Sequence, residues 1–162
     1  MTTLSILERR RIEAEIIKPI YDELVARFGA EEAKAVIGKA VRENSIRPAS
    51  SFRAELGEHS GLEGFYSTLH LWTMNGALEI DVTEQSATVL DYNVHRCQYA
   101  EMYRNMGLAE IGHLLSCQRD AVFCKGIDPR IELERSQTIM GGASHCDFRY
   151  RLAGPDDTAV AD

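Results

Sequence analysis

The chain has 162 residues, 44% of them hydrophobic, which is long enough to bury one sizeable core and too short to promise two. One domain is therefore expected over residues 1–153, with a disordered tail at 154–162. A formal net charge of -7 argues against nucleic acid as a partner, because phosphate binding needs clustered Lys and Arg to displace counterions.

No run approaches the ~18 consecutive apolar residues of a membrane helix, and the N-terminus lacks the basic-then-apolar layout of a signal peptide. The expectation is a cytoplasmic protein with no membrane partner, whose four cysteines are reduced thiols rather than a disulfide framework.

In chain order, Ser5-x-x-Glu8 has the form of a capping box, and Ile12, Ile16, Ile20 and Leu24 follow at four-residue spacing. That predicts a helix over 4–28, kinked or split at Pro19 and closed by Gly29. Arg9-Arg10-Arg11, set among Glu8, Glu13 and Glu15, reads as its solvated face. A second helix is expected over 30–43, with Ala33, Val36, Ile37, Ala40 and Val41 on one stripe. Residues 45–60, with Pro48, Ser50-Ser51 and Gly57, carry no clear period and read as a loop with at most a short helix, placed to cover a site. A third helix over 62–74 buries Phe65, Leu69 and Trp72 and stops at Asn75-Gly76.

Leu78, Ile80 and Val82 alternate with polar residues, the period-two pattern of a half-buried strand. In the next strand, 87–96, Leu90, Tyr92 and Val94 share one face, which leaves Asp91, Asn93, His95 and, if the strand extends, Cys97 on the other. Such a polar face either walls a pocket or meets solvent. Helices over 98–105 and 108–124 and strands over 131–140 and 145–152 complete the pattern. The class is α+β: N-terminal helices packed on an antiparallel sheet of about four strands with two inserted helices.

Two segments are rich in chemistry. On a helix of 3.6 residues per turn His113, Cys117, Asp120 and Cys124 fall on one stripe, opposite Leu108, Ile111, Leu115 and Val122. Two thiols are poorly explained by a solvated stripe, so it should face a cleft or a second layer. In the last strand Cys146, Phe148, Tyr150 and Leu152 point one way, and His145, Asp147, Arg149 and Arg151 the other. Cys146 is then interior, as a ligand of the site or as a small hydrophobe beside two aromatics.

The runs "HRCQYAEMYRNMG", "LLSCQRDAVF" and "LERSQTIMGGASHCDFRYR", in that order and spacing, resemble the L-2-amino-thiazoline-4-carboxylate hydrolase family. The resemblance is strong over about residues 60–152 and loose over the N-terminal helices. Arg96-Cys97, Cys117 with Asp120, Thr138, Gly141-Gly142 and Cys146-Asp147-Phe148 carry it; His113 and Cys124 lie outside the pattern.

It implies a hydrolase that opens a small five-membered nitrogen heterocycle, the parent reaction turning 2-aminothiazoline-4-carboxylate into N-carbamoyl-cysteine. On that reading Cys117 is the candidate nucleophile, Asp120 positions water or transfers a proton, His95 is the general base, and Cys146 shares the catalytic pocket. Asn93, Arg96, Cys97, Thr138 and Arg149 are the candidate substrate-binding residues, with Arg96, Arg149 or Arg135 clamping a carboxylate. No cofactor is required. The family is also distantly similar to small-molecule-binding domains that hold zinc through cysteines, so the alternative is a non-catalytic binding domain with zinc on Cys97, Cys117, Asp120 and Cys146. The partner is a small molecule in either case, and a homo-oligomer stays open.

Overall fold

In this computed structural model, residues 4–57 and 61–154 are described. Of the expected tail only Gly154 falls among them. Ser5 caps the first helix, its Oγ accepting from the Glu8 N–H at 3.2 Å. This helix, α1 (Ile6–Phe28), runs unbroken through Pro19 instead of dividing there. Gly29 takes φ 87°, which a side chain would resist, and turns the chain into α2 (Ala30–Asn44).

The stretch expected as a loop with at most a short helix is mostly helix, α3 (Ile46–Leu56). Its Pro48 lies in the first turn, where a missing N–H costs nothing, so the proline that suggested a loop is compatible with a helix start. The single helix expected over 62–74 is instead α4 (Leu62–Thr68) and α5 (His70–Thr73), then a 3-10 turn at Met74–Gly76.

Strands β1 (Leu78–Gln85) and β2 (Val89–Cys97), helix α6 (Gln98–Asn105), a π-helical turn at His113–Cys117, helix α7 (Gln118–Ile127), and strands β3 (Ile131–Glu134) and β4 (Cys146–Leu152) follow. The four strands form one antiparallel sheet in the order β1-β2-β4-β3, as the α+β pattern predicts. β3 ends well short of Met140, because residues 138–143 turn: Gly141 and Ala143 both donate their N–H to the Thr138 carbonyl.

Two irregularities decide which side chains face inward. Along the β1–β2 ladder Glu79 pairs with Arg96 but Ile80 with Val94, so His95 is the extra residue of a bulge. One inserted residue reverses the alternation beyond it, and Cys97 returns to the face of Tyr92 and Val94. The π turn likewise breaks the 3.6-residue period before α7, so the stripe expected from His113 to Cys124 divides. His113 is exposed and Cys124 is fully buried in the core.

The inner face of the sheet, with Leu90, Tyr92, Phe148 and Tyr150, packs with Phe65, Phe123 and Ile127 into one cluster. Tyr21, Ile37, Tyr103, Ile111 and Leu115 build a second cluster among α1, α2, α6 and the π turn. Trp72, Leu78 and Cys97 pack against both. No helix among the described residues is long and apolar enough to cross a membrane.

Candidate functional site

A cavity of about 740 Å³ lies along the seam between the two clusters. Its sheet wall is aromatic: the rings of Tyr92 and Phe148 stack at 4.8 Å between centroids, with Tyr150 next in line at 6.0 Å. Across from them Trp72 meets Phe123 edge-on at 4.8 Å, and Phe52 of α3 meets the same ring at 5.3 Å. Helix α3, longer than the short helix expected there, therefore supplies a wall of the site. Gly126 is the reason it can come so close to α7, because a Cβ there would stand 2.3 Å from the Cβ of Ala49.

Cys97, Cys117, Asp120 and Cys146 all line this cavity. Three segments distant in sequence thus meet as expected, but the bulge at His95 is what brings Cys97 to them. Asp120 is held by Arg135, whose Nη1 lies 2.5 Å from Oδ2 while its Nη2 donates to the Cys117 carbonyl at 3.0 Å. The Arg135 guanidinium also sits 4.8 Å above the Phe148 ring, which fixes its plane. Burial pushes the Asp120 carboxyl above the ordinary carboxylate range, with Arg135 pulling the other way.

The thiols are weaker acids, Cys146 buried and Cys97 and Cys117 half-buried. Burial, reinforced by the charge of Asp120, pushes Cys117 up to about 12. Cys97 is pushed up to about 11 by burial, and Cys146 is raised for the same first reason. Each sulfur of Cys97 and Cys146 accepts a backbone N–H, from Ala100 at 3.4 Å and Ile139 at 3.2 Å. These are neutral thiols at pH 7, which disfavours the nucleophilic role expected of Cys117.

The other expected residues lie elsewhere. His95, on its bulge, is exposed and does not line the cavity. Asn93 and Arg149 pair with each other at 2.9 Å on the opposite face of the sheet, where Arg151 and Arg149 also hold the buried carboxylate of Asp91. Arg96 is exposed and bound to Glu101 at 2.9 Å and Glu79 at 3.5 Å. Thr138 caps its own turn, Oγ1 accepting from the Gly141 N–H at 3.0 Å. The polar face of β2 is thus the outside of the sheet, and none of His95, Asn93, Arg96, Thr138 and Arg149 lines the cavity.

Arg10, Glu13 and Arg119 line the cavity in their place. Arg10 Nη1 lies 2.9 Å from each Glu13 oxygen, and Arg119 Nη2 reaches Glu13 Oε2 at 3.1 Å. Arg10 belongs to the triple-arginine run that reads as a solvated face; its neighbours Arg9 and Arg11 stay exposed, Arg11 paired with Glu8 and Glu15. The signal that separates them is helical phase: Arg10 lies one turn from the buried Ala14.

As for zinc, the cavity offers soft donors, but among the described residues no three His, Cys, Asp or Glu side chains are grouped to hold a metal ion. The four proposed ligands share a wall without converging on a point.

A family model described as L-2-amino-thiazoline-4-carboxylic acid hydrolase matches residues 9–150. No curated protein matches the chain. Among solved structures, the phenol-responsive sensory domain of the transcription activator PoxR with phenol is similar at a TM-score of 0.56 and 14% identity, covering 94% of this chain and 76% of that one. A trafficking protein particle complex subunit 3 from Naegleria fowleri, covalently bound to palmitic acid, is similar at a TM-score of 0.54 and 11% identity, covering 90% of this chain and 96% of that one. At these identities the two likenesses speak for the fold.

Proposed function

The chain belongs to the L-2-amino-thiazoline-4-carboxylic acid hydrolase family, and from that membership we propose that its cavity opens a small five-membered nitrogen heterocycle, with Asp120 as the group that moves protons. The observation that carries the reading is Asp120 itself, a carboxylate on an aromatic cavity wall, raised by burial and oriented by Arg135 at 2.5 Å.

On 2-aminothiazoline-4-carboxylate, water adds its oxygen to the ring carbon between nitrogen and sulfur. Asp120 takes one of its protons and delivers it to the ring nitrogen. The carbon–sulfur bond then breaks with its electron pair on sulfur. The remaining hydroxyl proton passes through Asp120 to that sulfur, leaving a urea-type carbonyl and a free thiol. Water is the nucleophile because a thiol held near 12 is almost wholly protonated at neutral pH. Cys97, Cys117 and Cys146 then serve as a dry, polarisable wall beside the reacting ring.

The same neutral thiols favour a second reading, in which the cavity binds a small molecule without turning it over. Phenol and palmitic acid in the two proteins of similar fold support that reading. Incubation with 2-aminothiazoline-4-carboxylate separates the two. Appearance of N-carbamoyl-cysteine, read by mass and by a new free thiol, supports the hydrolase; calorimetric binding with no product supports the binding domain.

A further inference from the structure

The cavity is cationic in an acidic protein. Five arginines line it against three carboxylates, whereas the whole chain carries a formal net charge of -7. Two of those arginines are nearly enclosed: the side chains of Arg10 and Arg119 are 18% and 11% exposed, and both lean on the single carboxylate of Glu13. One negative charge shared by two guanidiniums leaves one positive charge over.

Donors are left over as well. A guanidinium has five N–H groups. Arg10 uses only Nη1, toward Glu13; Arg119 uses Nε toward the Leu115 carbonyl at 2.7 Å and Nη2 toward Glu13. Among the described residues no fully buried side-chain nitrogen or oxygen lacks a hydrogen-bond partner, so the unbonded nitrogens, Nε and Nη2 of Arg10 and Nη1 of Arg119, open onto accessible space, and both arginines line the cavity. Burial, and then the charge of Arg10, also pull the Arg119 guanidinium below its ordinary value, the response of a cation short of counter-charge.

We propose that Arg10 and Arg119, joined by Glu13, form an anion subsite that takes the carboxylate of a ligand whose apolar ring lies on the Tyr92–Phe148–Tyr150 wall. This rests on the reading of the cavity as a small-molecule site and names the ligand class: a cyclic or aromatic monocarboxylate. Charge-assisted hydrogen bonds from two guanidiniums give the carboxylate its preference over a neutral group of the same shape. Asp120, the residue after Arg119, then faces the ring and not the carboxylate.

Phenylacetate and its neutral isostere phenylacetamide test the subsite by isothermal titration calorimetry on the full chain. The wild type is expected to bind the acid at least about tenfold more tightly than the amide, a difference of one charge-assisted hydrogen bond or more. Arg10→Gln, which removes only contacts to Glu13, should lower that ratio severalfold. Glu13→Gln frees both guanidiniums and should raise it, a gain that misfolding cannot imitate. No binding of phenylacetate, equal binding of acid and amide, or a ratio that either variant leaves unchanged or moves the other way overturns the subsite. Ring opening is not read here, so a protein that prefers the acid yet opens no ring loses the hydrolase and keeps the subsite, and the converse result does the reverse.

Discussion

Arg135 Nη1 stands 2.5 Å from Asp120 Oδ2 on the cavity wall, and its guanidinium lies 4.8 Å from the centroid of the Phe148 ring in the aromatic stack. Two influences on the carboxyl oppose each other. Burial raises it, Arg135 lowers it, and burial prevails.

That balance sets a pH dependence. Asp120 must be ionised to accept a proton from water, so kcat/KM should rise with pH through a limb lying above the ordinary value of 3.8. Stability should move oppositely: a carboxyl that binds its proton more tightly when folded costs stability as pH rises from the ordinary value through the raised one. Measured against Asp120→Asn, which keeps every other carboxyl, the wild-type urea midpoint should lose ground as pH rises across that window. Arg135→Gln removes the opposing cation and should carry the kinetic limb to higher pH.

Neutral thiols should be slow thiols. A shift of Cys117 from 9.0 to about 12 lowers its thiolate fraction at neutral pH by about a thousandfold. Disulfide-exchange titration of the native protein at pH 7.5 should therefore register far fewer than the four cysteines that appear in denaturant. A Cys117 that reacts within seconds would restore it as a nucleophile.

Much of this was legible in the sequence, and the exceptions have local causes. Alternation of polar and apolar residues located β1, β2 and β4, and a 3.6-residue period located α1, α2 and α6. Inserted residues are invisible to such counting. One extra residue at His95 reverses the face of Cys97, and a π turn over His113–Cys117 takes His113 out of phase with Cys117 and Asp120. The face of β2 that carries Asp91, Asn93 and His95 resembled a pocket wall by composition. It is the sheet's outer side, where arginines from β4 hold Asp91 and Asn93. Arg10 was hidden by a different rule, since three adjacent arginines look alike until the phase of the buried face is known.

The outer position of His95 carries its own consequence. His95→Ala should leave ring opening within about twofold of wild type, because the side chain is exposed and borders no part of the cavity. A loss of a hundredfold would mean that the bulge places His95 in the reaction after all.

The approach of α3 to α7 should be intolerant of bulk. Gly126→Ala sets a methyl 2.3 Å from the Cβ of Ala49, which is itself fully buried, so the helices must part. Overpacking of this kind costs about 1–3 kcal/mol, measurable as a lower urea midpoint at unchanged slope. Because Phe52 rides on α3, ligand affinity should fall with it.

The most direct measurement compares Asp120→Asn with Cys117→Ser in the conversion of 2-aminothiazoline-4-carboxylate to N-carbamoyl-cysteine, each variant first shown to be folded. Proton transfer by Asp120 predicts a loss in kcat of at least about a hundredfold for Asp120→Asn and a far smaller one for Cys117→Ser. A Cys117→Ser enzyme that is dead beside an active Asp120→Asn enzyme would contradict the account and return the attack to the thiol.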